Sequence, residues 1–323
     1  MKTFDEIHQI VNVGIRHIDR PKEPQDLYRP IDYVLSLGGK RLRPALLLMA
    51  YNLYADDVET AIHPALGIEI FHNFTLLHDD IMDKADIRRG KPTVHKKWSD
   101  STAILSGDVM LIEAYEHIAK TPEKYLKIVL DLFSGMAKEI CEGQQYDLQF
   151  ESREQVTPDD YIEMIRLKTS VLLGTSLKIG ATIADAPKKD VDLLYDFGVN
   201  IGLAFQLKDD LLDVYGNEAY FGKKIGGDIL CNKKTYLLIN ALLLAENETK
   251  QELNGWLQSS DNAQEKIKAV TEIYDKLKVN ALCEDKMQFF YQKALANLAD
   301  VGAADDKKHE LRKLAEKLMD RKE

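Results

Sequence analysis

Apolar side chains recur at intervals of three and four residues along most of the chain, the spacing of one face of an α-helix. The clearest series begins at Ile62 and ends at Ile81, with Pro64 near its first turn, where proline is tolerated. Other segments have the same period, at 99–119, 124–150, 159–184, 190–214, 234–257 and 263–300. The pattern predicts helices along almost the whole chain.

Signals for β-structure are weak. No Asn-Gly or Asp-Gly pair lies between alternating apolar residues, and no proline follows Pro187. We therefore predict an all-α fold, a single-domain bundle of ten or more helices. No Gly/Ser-rich linker divides residues 1–323, and the charged amphipathic segment 303–323 is predicted to be a peripheral C-terminal helix.

Composition narrows the functional classes. The chain has 323 residues, 45% of them hydrophobic, which excludes a disordered protein. The net charge of −10 has the wrong sign for a general nucleic-acid binder. The three cysteines lack metal-ligand spacing, and no apolar run approaches the roughly 20 residues that cross a bilayer. Residues 1–20 contain no signal-peptide core, so a cytoplasmic location is expected.

Two aspartate motifs of the form D-D-x-x-D stand 130 residues apart, near the ends of two predicted helices. Positions i and i+4 share one helix face, so Asp79 should lie beside Asp83, and Asp209 beside Asp213. Such pairs repel each other and oppose the helix dipole, a cost that a bound cation offsets. Carboxylates are the hard ligands that suit Mg²⁺, which completes its shell with water and substrate phosphates.

A solvated helix face is the alternative explanation for either motif, because charged residues usually lie at the surface. Both motifs, however, follow strongly apolar runs, 71–77 and 203–207. Charges in apolar surroundings need partners. A metal site is therefore the favoured interpretation.

Basic residues follow or precede each motif. The run GGKRLRP (38–44) leads from two glycines into a predicted helix, where free backbone N–H groups favour phosphate, although a solvated helix start has the same pattern. Arg88 and Arg89 follow the first motif, and the Gly-rich loop 222–228 and Lys233 follow the second. This order of acid and base indicates a clamp for metal and diphosphate.

These residues resemble the trans-isoprenyl diphosphate synthases, or polyprenyl synthetases, which include farnesyl and geranylgeranyl diphosphate synthases. The resemblance runs from about residue 30 to 240 and rests on six elements in the family's order: GGKRLRP, FHNFTLLHDDIMD, RRG, LKTS, FQLKDDLLD and GKKIGGD. It implies an all-α bundle around a deep central cavity, usually in a homodimer. It also implies isopentenyl diphosphate and allylic diphosphates as substrates.

The resemblance further implies a role for each matching residue. Three Mg²⁺ ions would be held on the allylic diphosphate by Asp79, Asp83, Asp209 and Asp213. The same diphosphate would be contacted by Arg88, Lys168, Lys223 and Lys233, with Lys224 as the alternative to Lys223. The diphosphate of isopentenyl diphosphate would be held by Lys40, Arg43, His72 and Arg89. Thr169 and Gln206 would lie near the allylic cation.

The expected reaction is the metal-assisted ionisation of an allylic diphosphate of five to fifteen carbons, followed by condensation with isopentenyl diphosphate. Phe74, five residues before Asp79, and Phe71 are the candidates that stop the growing chain, which predicts farnesyl or geranylgeranyl diphosphate. A synthase of medium or long chains is an alternative. A terpene cyclase and a non-catalytic cation-binding scaffold are two others, and the sequence leaves Mg²⁺ against Mn²⁺ open.

Overall fold

The computed structural model describes residues 1–216, 225–259 and 262–320. Nearly all regular structure in these residues is helical, which confirms the predicted all-α class. The chain divides into two compact units. The first comprises Met1–Gly135, Thr175–Leu194 and Gly302–Leu311, and the second comprises the described residues of Met136–Gly174, Tyr195–Val301 and Arg312–Glu323. A single domain stays a prediction.

Helices occur along the whole of the described sequence. The α-helices, in chain order, are α1 (Phe4–Arg16), α2 (Gln25–Ser36), α3 (Leu42–Asn52), α4 (Ile62–Met82), α5 (Val94–Lys97), α6 (Asp100–Ile118), α7 (Glu123–Ser152), α8 (Pro158–Ile165), α9 (Val171–Ile183), α10 (Lys188–Tyr215), α11 (Gly227–Leu230), α12 (Tyr236–Leu244), α13 (Asn247–Gln258), α14 (Ala263–Leu277), α15 (Val279–Asp300) and α16 (Asp305–Met319). A 3₁₀ turn at Glu59–Ala61 precedes α4, and a π turn at Arg166–Ser170 joins α8 to α9.

Three of the predicted helical segments are interrupted in the structure. The π turn divides 159–184, and extended backbone at Ala245 and Glu246 divides 234–257. Lys278, with a φ of 56°, divides 263–300. A residue in the left-handed region ends a helix, and a three-to-four-residue apolar period does not report it because the period continues on the other side.

Close packing of α4 against α6 organises the first unit. A Cβ added at Gly67 would lie 2.9 Å from the carbonyl oxygen of Ala114, and one at Gly107 would lie 2.2 Å from Nε2 of His78. Only glycine permits these approaches. The long helix that ends in the first aspartate motif is therefore held against α6 at both points.

The second unit has equally close contacts around the π turn. A Cβ at Gly143 of α7 would lie 2.3 Å from the backbone nitrogen of Lys168, and one at Gly202 of α10 would lie 2.8 Å from Cα of Ser170. The backbones of α7 and α10 thus both approach the π turn at a glycine. This positions the segment that carries Lys168 and Thr169.

A two-stranded antiparallel hairpin interrupts the helices, with β1 (Ile87–Arg88) paired to β2 (Lys91–Pro92). Its turn residues are Arg89, with a φ of 52°, and Gly90, with a φ of 72°. Two positive φ values in succession are typical of the tight turns that join antiparallel strands. The sequence search for Asn-Gly and Asp-Gly pairs did not find this hairpin, because arginine rarely occupies such a position.

The C-terminal segment forms α16, in agreement with the predicted helix, and Leu311, Leu314 and Leu318 on it are buried. Among the residues that the structure describes, no helix has the length and apolar character needed to cross a membrane.

Candidate functional site

The first aspartate motif occupies the C-terminal end of α4, as predicted. The backbone N–H of Asp83 donates to the carbonyl of Asp79 over 2.8 Å, so the helical turn continues through Asp83 although α4 ends at Met82. Asp79 and Asp83 therefore keep the i, i+4 relation on one face. Asp83 is exposed, whereas the Asp79 side chain is only 18% exposed.

The middle aspartate of this motif has a different role from its neighbours. Asp80 is buried, and its Oδ1 accepts hydrogen bonds from Nε and Nη2 of Arg88, both at 2.7 Å. Burial raises the pKa of Asp80, and the positive charge of Arg88 opposes that rise. The Arg88 guanidinium also lies 3.9 Å from Asp79. The predicted diphosphate ligand Arg88 is thus anchored to the motif itself.

The hairpin brings a second arginine to the glycine turn before α3. Arg89 donates a hydrogen bond to the carbonyl of Gly38. Gly39 has a φ of 134°, and a Cβ there would lie 2.9 Å from the Arg89 guanidinium. The two glycines of the motif thus permit a backbone conformation and a contact that a side chain would block. Lys40, which follows them, is exposed.

Arg43 and His72 meet in the same unit. Nη1 of Arg43 lies 3.1 Å from Nε2 of His72, which accepts the hydrogen bond as a neutral ring. Burial, followed by the charges of Arg43 and Arg89, holds the pKa of His72 well below its usual range. Burial lowers the pKa of Arg43 to about 10, with Arg89 adding to the effect and Glu69 opposing it.

This crowding leaves part of the arginine cluster unsatisfied. Nε of Arg43 is buried without a hydrogen-bond partner. Burial also lowers the pKa of Arg89, as do the charges of Arg41 and Arg88. A buried donor without a partner and mutually repelling guanidinium groups are conditions that a bound phosphate anion relieves. The cluster is a candidate diphosphate site.

A buried ion pair supports the cluster. Arg41, at the N-cap of α3 with a φ of 46°, lies 2.6 Å from Glu69 of α4, and both side chains are 2% exposed. Arg41 also donates to the carbonyl of Leu35, and Asn73 donates to Glu69 over 2.8 Å. The sequence analysis grouped Arg41 with the other cations of its run, but the structure gives it a structural partner.

The second aspartate motif lies near the C-terminal end of α10, as predicted. Asp209 and Asp213 are both partly buried. The Asp213 side chain accepts a hydrogen bond of 3.0 Å from the backbone N–H of Asp228, and its carbonyl accepts one of 2.6 Å from Gly226. The final residues of the GKKIGGD element are therefore tied directly to the motif.

The middle aspartate of the second motif is again buried and bonded within the protein. Oδ2 of Asp210 accepts a hydrogen bond of 2.5 Å from the hydroxyl of Tyr161, and Oδ1 accepts one of 3.2 Å from Gln206. Burial, and then the charge of Asp228, raise the pKa of Asp210 to about 7, while the Tyr161 hydrogen bond opposes the rise. Gln206, predicted to lie near the allylic cation, contacts this carboxyl group.

The π turn presents Lys168 towards α7. Its Nζ lies 2.6 Å from Oδ2 of Asp147, with the two side chains 23% and 19% exposed. Asp147 stands one helical turn after Gly143, the residue that lets α7 approach the π turn. π turns are frequent at functional sites because they displace a side chain from the regular helical position. Thr169 lies in the same turn.

The structure thus places the predicted residues in two groups, one in each unit. The first unit contains Lys40, Arg43, His72, Asp79, Asp83, Arg88 and Arg89, and the second contains Lys168, Thr169, Gln206, Asp209, Asp213 and Lys233. Lys223 and Lys224 lie outside the described residues, so the choice between them stays open.

Sequence reasoning missed several supporting side chains. It did not find Tyr161, Asp147 or Glu69, and it gave no separate role to Asp80 and Asp210. A weak signal existed for Tyr161, which precedes Lys168 by seven residues, close to two helical turns. Nothing along the chain indicated Asp147.

The donor chemistry fits magnesium. Each motif has its middle carboxylate engaged by protein donors, which leaves two carboxylates per motif available as ligands. Within the described part of the chain, no three His, Cys, Asp or Glu side chains form a complete metal site. Mg²⁺ is commonly bound through one or two carboxylates together with substrate phosphates and water, so an all-protein site is not required.

Comparison with known proteins agrees with this geometry. The family model described as polyprenyl synthetase matches residues 24–274. A geranylgeranyl diphosphate synthase of Methanosarcina mazei is 40% identical over 233 residues, 72% of this chain and 72% of that protein. A crystal structure of a geranylgeranyl pyrophosphate synthase superposes with a TM-score of 0.95 at 42% identity, over all of both chains.

A further solved structure includes ligands. The geranylgeranyl pyrophosphate synthase of Corynebacterium glutamicum, complexed with isoprenyl diphosphate and magnesium, has a TM-score of 0.88 at 28% identity and covers 99% of this chain and 100% of that chain. The family expected from the six sequence elements is confirmed by these matches, and this chain belongs to the polyprenyl synthetase family.

Proposed function

We propose that this chain, a prenyltransferase of the short-chain class, condenses isopentenyl diphosphate with allylic diphosphates and releases mainly geranylgeranyl diphosphate. The observation that carries the proposal is the cluster of Arg43 and Arg89 around a neutral His72, with Asp79 on the same helix as that histidine. Such a cluster lacks an anion, and a diphosphate supplies one. The names of the similar proteins support the twenty-carbon product.

The arginine cluster binds the diphosphate of isopentenyl diphosphate in this proposal. Arg43 and Arg89 donate to its oxygens, with Lys40 adding charge from the glycine turn. His72 acts as a neutral acceptor that orients the Arg43 guanidinium. A fixed, partly buried set of donors recognises phosphate more strongly than mobile surface lysines do.

The aspartates hold the metal in this proposal. Asp79 and Asp83, with Asp209 and Asp213, would hold three Mg²⁺ ions on the allylic diphosphate. Bound magnesium supplies Lewis-acid stabilisation of the charge that develops on the departing diphosphate. Further positive charge on that group comes from four side chains: Arg88, Lys168, Lys233 and Lys223 or Lys224.

The remaining chemistry needs no covalent help from the protein. As the allylic C–O bond breaks, the basic side chains stabilise the diphosphate that leaves, and Thr169 and Gln206 place oxygen dipoles near the allylic carbon. The double bond of isopentenyl diphosphate then forms the new C–C bond. The proton lost from that unit passes to the released diphosphate. A cytoplasmic location remains a prediction.

Product analysis tests this function. Purified protein is incubated with isopentenyl diphosphate and an allylic primer of five, ten or fifteen carbons, with and without EDTA, and the products are separated by chromatography. We expect twenty-carbon product from each primer with Mg²⁺ and none with EDTA. A terpene cyclase would release hydrocarbon from the primer alone. Failure to elongate any primer would contradict the proposal.

Phe74 is the better candidate for limiting product length. Phe71 is fully buried, with its ring 5.2 Å from that of Phe133, whereas Phe74 is only partly buried and its ring lies 4.8 Å from His78. We expect Phe74→Ala to lengthen the main product by roughly one or two five-carbon units, because it removes a ring of about that size.

The matched control for this prediction is Phe71→Leu. It should keep the product length and lower the melting temperature, since it loosens a packed core position. Product length is read by chromatography of the dephosphorylated prenols. An unchanged product from Phe74→Ala would remove this residue from the role.

We further propose a homodimer formed through the exposed face of α6. Ile104, Leu105 and Ile112 on this helix are 45%, 58% and 58% exposed, and Ile128 on α7 is 50% exposed. Large apolar side chains grouped on one surface are typical of protein contacts. A second copy of the chain is the occupant that the family resemblance supports.

Sedimentation of a charged variant tests the dimer. Leu105→Glu combined with Ile112→Glu should raise the dimer dissociation constant by roughly a hundredfold or more, because burying an unpaired charge costs several kcal/mol. Leu243→Glu, at a residue 61% exposed on α12, is the control and should leave the dimer intact. A wild-type monomer, or a dimeric double variant, would contradict this interface.

A further inference from the structure

Tyr161 connects two parts of the second unit that carry separate functional residues. It lies on α8, whose N-terminus is fixed by a capping box between Thr157 and Asp160. The same helical path continues through the π turn to Lys168 and Thr169. The Tyr161 side chain is buried, 1% exposed, with its ring 6.4 Å from that of Tyr236.

The Tyr161 hydroxyl reaches across to the second aspartate motif. It donates to Oδ2 of Asp210 over 2.5 Å, while Gln206, one turn earlier on α10, donates to Oδ1 over 3.2 Å. Both carboxylate oxygens of Asp210 therefore have protein donors, and the residue is 3% exposed. This arrangement suits an anchor.

Anchoring Asp210 also orients its neighbours. Successive residues of a helix are about 100° apart around its axis, whereas Asp209 and Asp213, four residues apart, share a face. A fixed Asp210 therefore sets the direction in which that face points. α10 is held to the same segment at a second place, where Gly202 approaches Ser170. Gly202 and Asp210 are eight residues apart, about 12 Å along the helix.

Two attachments of this kind define a relative position that one attachment leaves free to rotate. We propose that Tyr161 is a positioning residue, whose hydroxyl holds Asp210 so that Asp209 and Asp213 are aligned with Lys168 for binding magnesium and diphosphate. The inference rests on the function proposed above. The first motif has an equivalent arrangement, in which Arg88 anchors the middle aspartate Asp80.

Binding of inorganic pyrophosphate in the presence of Mg²⁺, measured by titration calorimetry, tests the proposal without turnover. Tyr161→Phe removes only the hydroxyl, and we expect the dissociation constant to rise on the order of tenfold or more, the usual effect of losing a group that orients a metal ligand. The Mg²⁺ concentration that gives half-maximal activity should rise by a similar factor. Tyr236→Phe, at the neighbouring ring, is the control and should change binding less than twofold.

Substitutions of Asp210 separate an anchor from a metal ligand. Asp210→Asn can still accept from Tyr161 once the Gln206 amide rotates, so it should retain most of the binding. Asp210→Leu cannot accept, and should weaken binding as much as Tyr161→Phe does. These two variants also decide the matter if Tyr161→Phe does not fold.

Two results would overturn the positioning role. One is an unchanged dissociation constant in Tyr161→Phe, and the other is a loss in Asp210→Asn as large as in Asp210→Leu. A wild-type protein that binds pyrophosphate with Mg²⁺ but elongates no primer contradicts the proposed function alone. A wild-type protein that binds neither contradicts both.

Discussion

Replacing Asp79 with alanine is expected to lower kcat by about a thousandfold or more. The variant loses one of the two carboxylates that the first motif offers to magnesium, and metal-based charge stabilisation is worth several kcal/mol, at about 1.4 kcal/mol for each tenfold in rate. The Asp79 side chain makes only a long contact, 3.9 Å, with Arg88, so little packing is lost with it. Steady-state kinetics with saturating substrates measure the effect.

The control is Asp131→Ala on α7. Its carboxylate is 62% exposed and pairs with Lys127 one turn away, an interaction worth a few tenths of a kcal/mol. This variant should keep wild-type kcat and melting temperature, and Asp79→Ala should keep the circular dichroism spectrum. An Asp79→Ala enzyme with more than about a tenth of wild-type kcat would contradict a metal-binding role.

Replacing Arg41 with methionine is expected to lower the free energy of unfolding by about 3–5 kcal/mol. Methionine keeps much of the side-chain volume but leaves Glu69 charged and buried beside Asn73. The carbonyl of Leu35 also loses its donor. Urea denaturation followed by circular dichroism measures the loss.

A second substitution distinguishes an unpaired charge from poor packing. Adding Glu69→Met to Arg41→Met should recover part of the stability, because it removes the buried charge that the first change leaves unpaired. Lys127→Met, which breaks an exposed pair, should cost no more than about 1 kcal/mol. A loss below about 1 kcal/mol in Arg41→Met would show that the buried pair contributes little.

Local periodicity predicted the helices well but not where they stop. Apolar spacing alone identified α4, α6, α7 and α10 close to their observed bounds. The break at Lys278 and the π turn at 166–170 were not predicted, since each leaves the apolar period almost unchanged. The hairpin turn at Arg89 also has a backbone conformation that its sequence does not favour.

The two motifs show a similar division. Helical spacing was sufficient to place Asp79 beside Asp83 and Asp209 beside Asp213, because i and i+4 relations depend only on the local backbone. The distinct role of the middle aspartates depends on partners elsewhere in the chain. Tyr161 is 49 residues from Asp210, and no pattern along the sequence connects them.

The amino-acid sequence by itself determined the helical class, the family, and the carboxylate and basic residues available for a metal–diphosphate reaction. These follow from spacing and residue chemistry, which operate over one or two helical turns. Only the tertiary structure decided which charges are anchors and which remain available to ligands: Asp80 with Arg88, Asp210 with Tyr161, and Lys168 with Asp147. Burial and hydrogen bonding between distant segments arise when helices pack, and they then set the charge balance of each side chain.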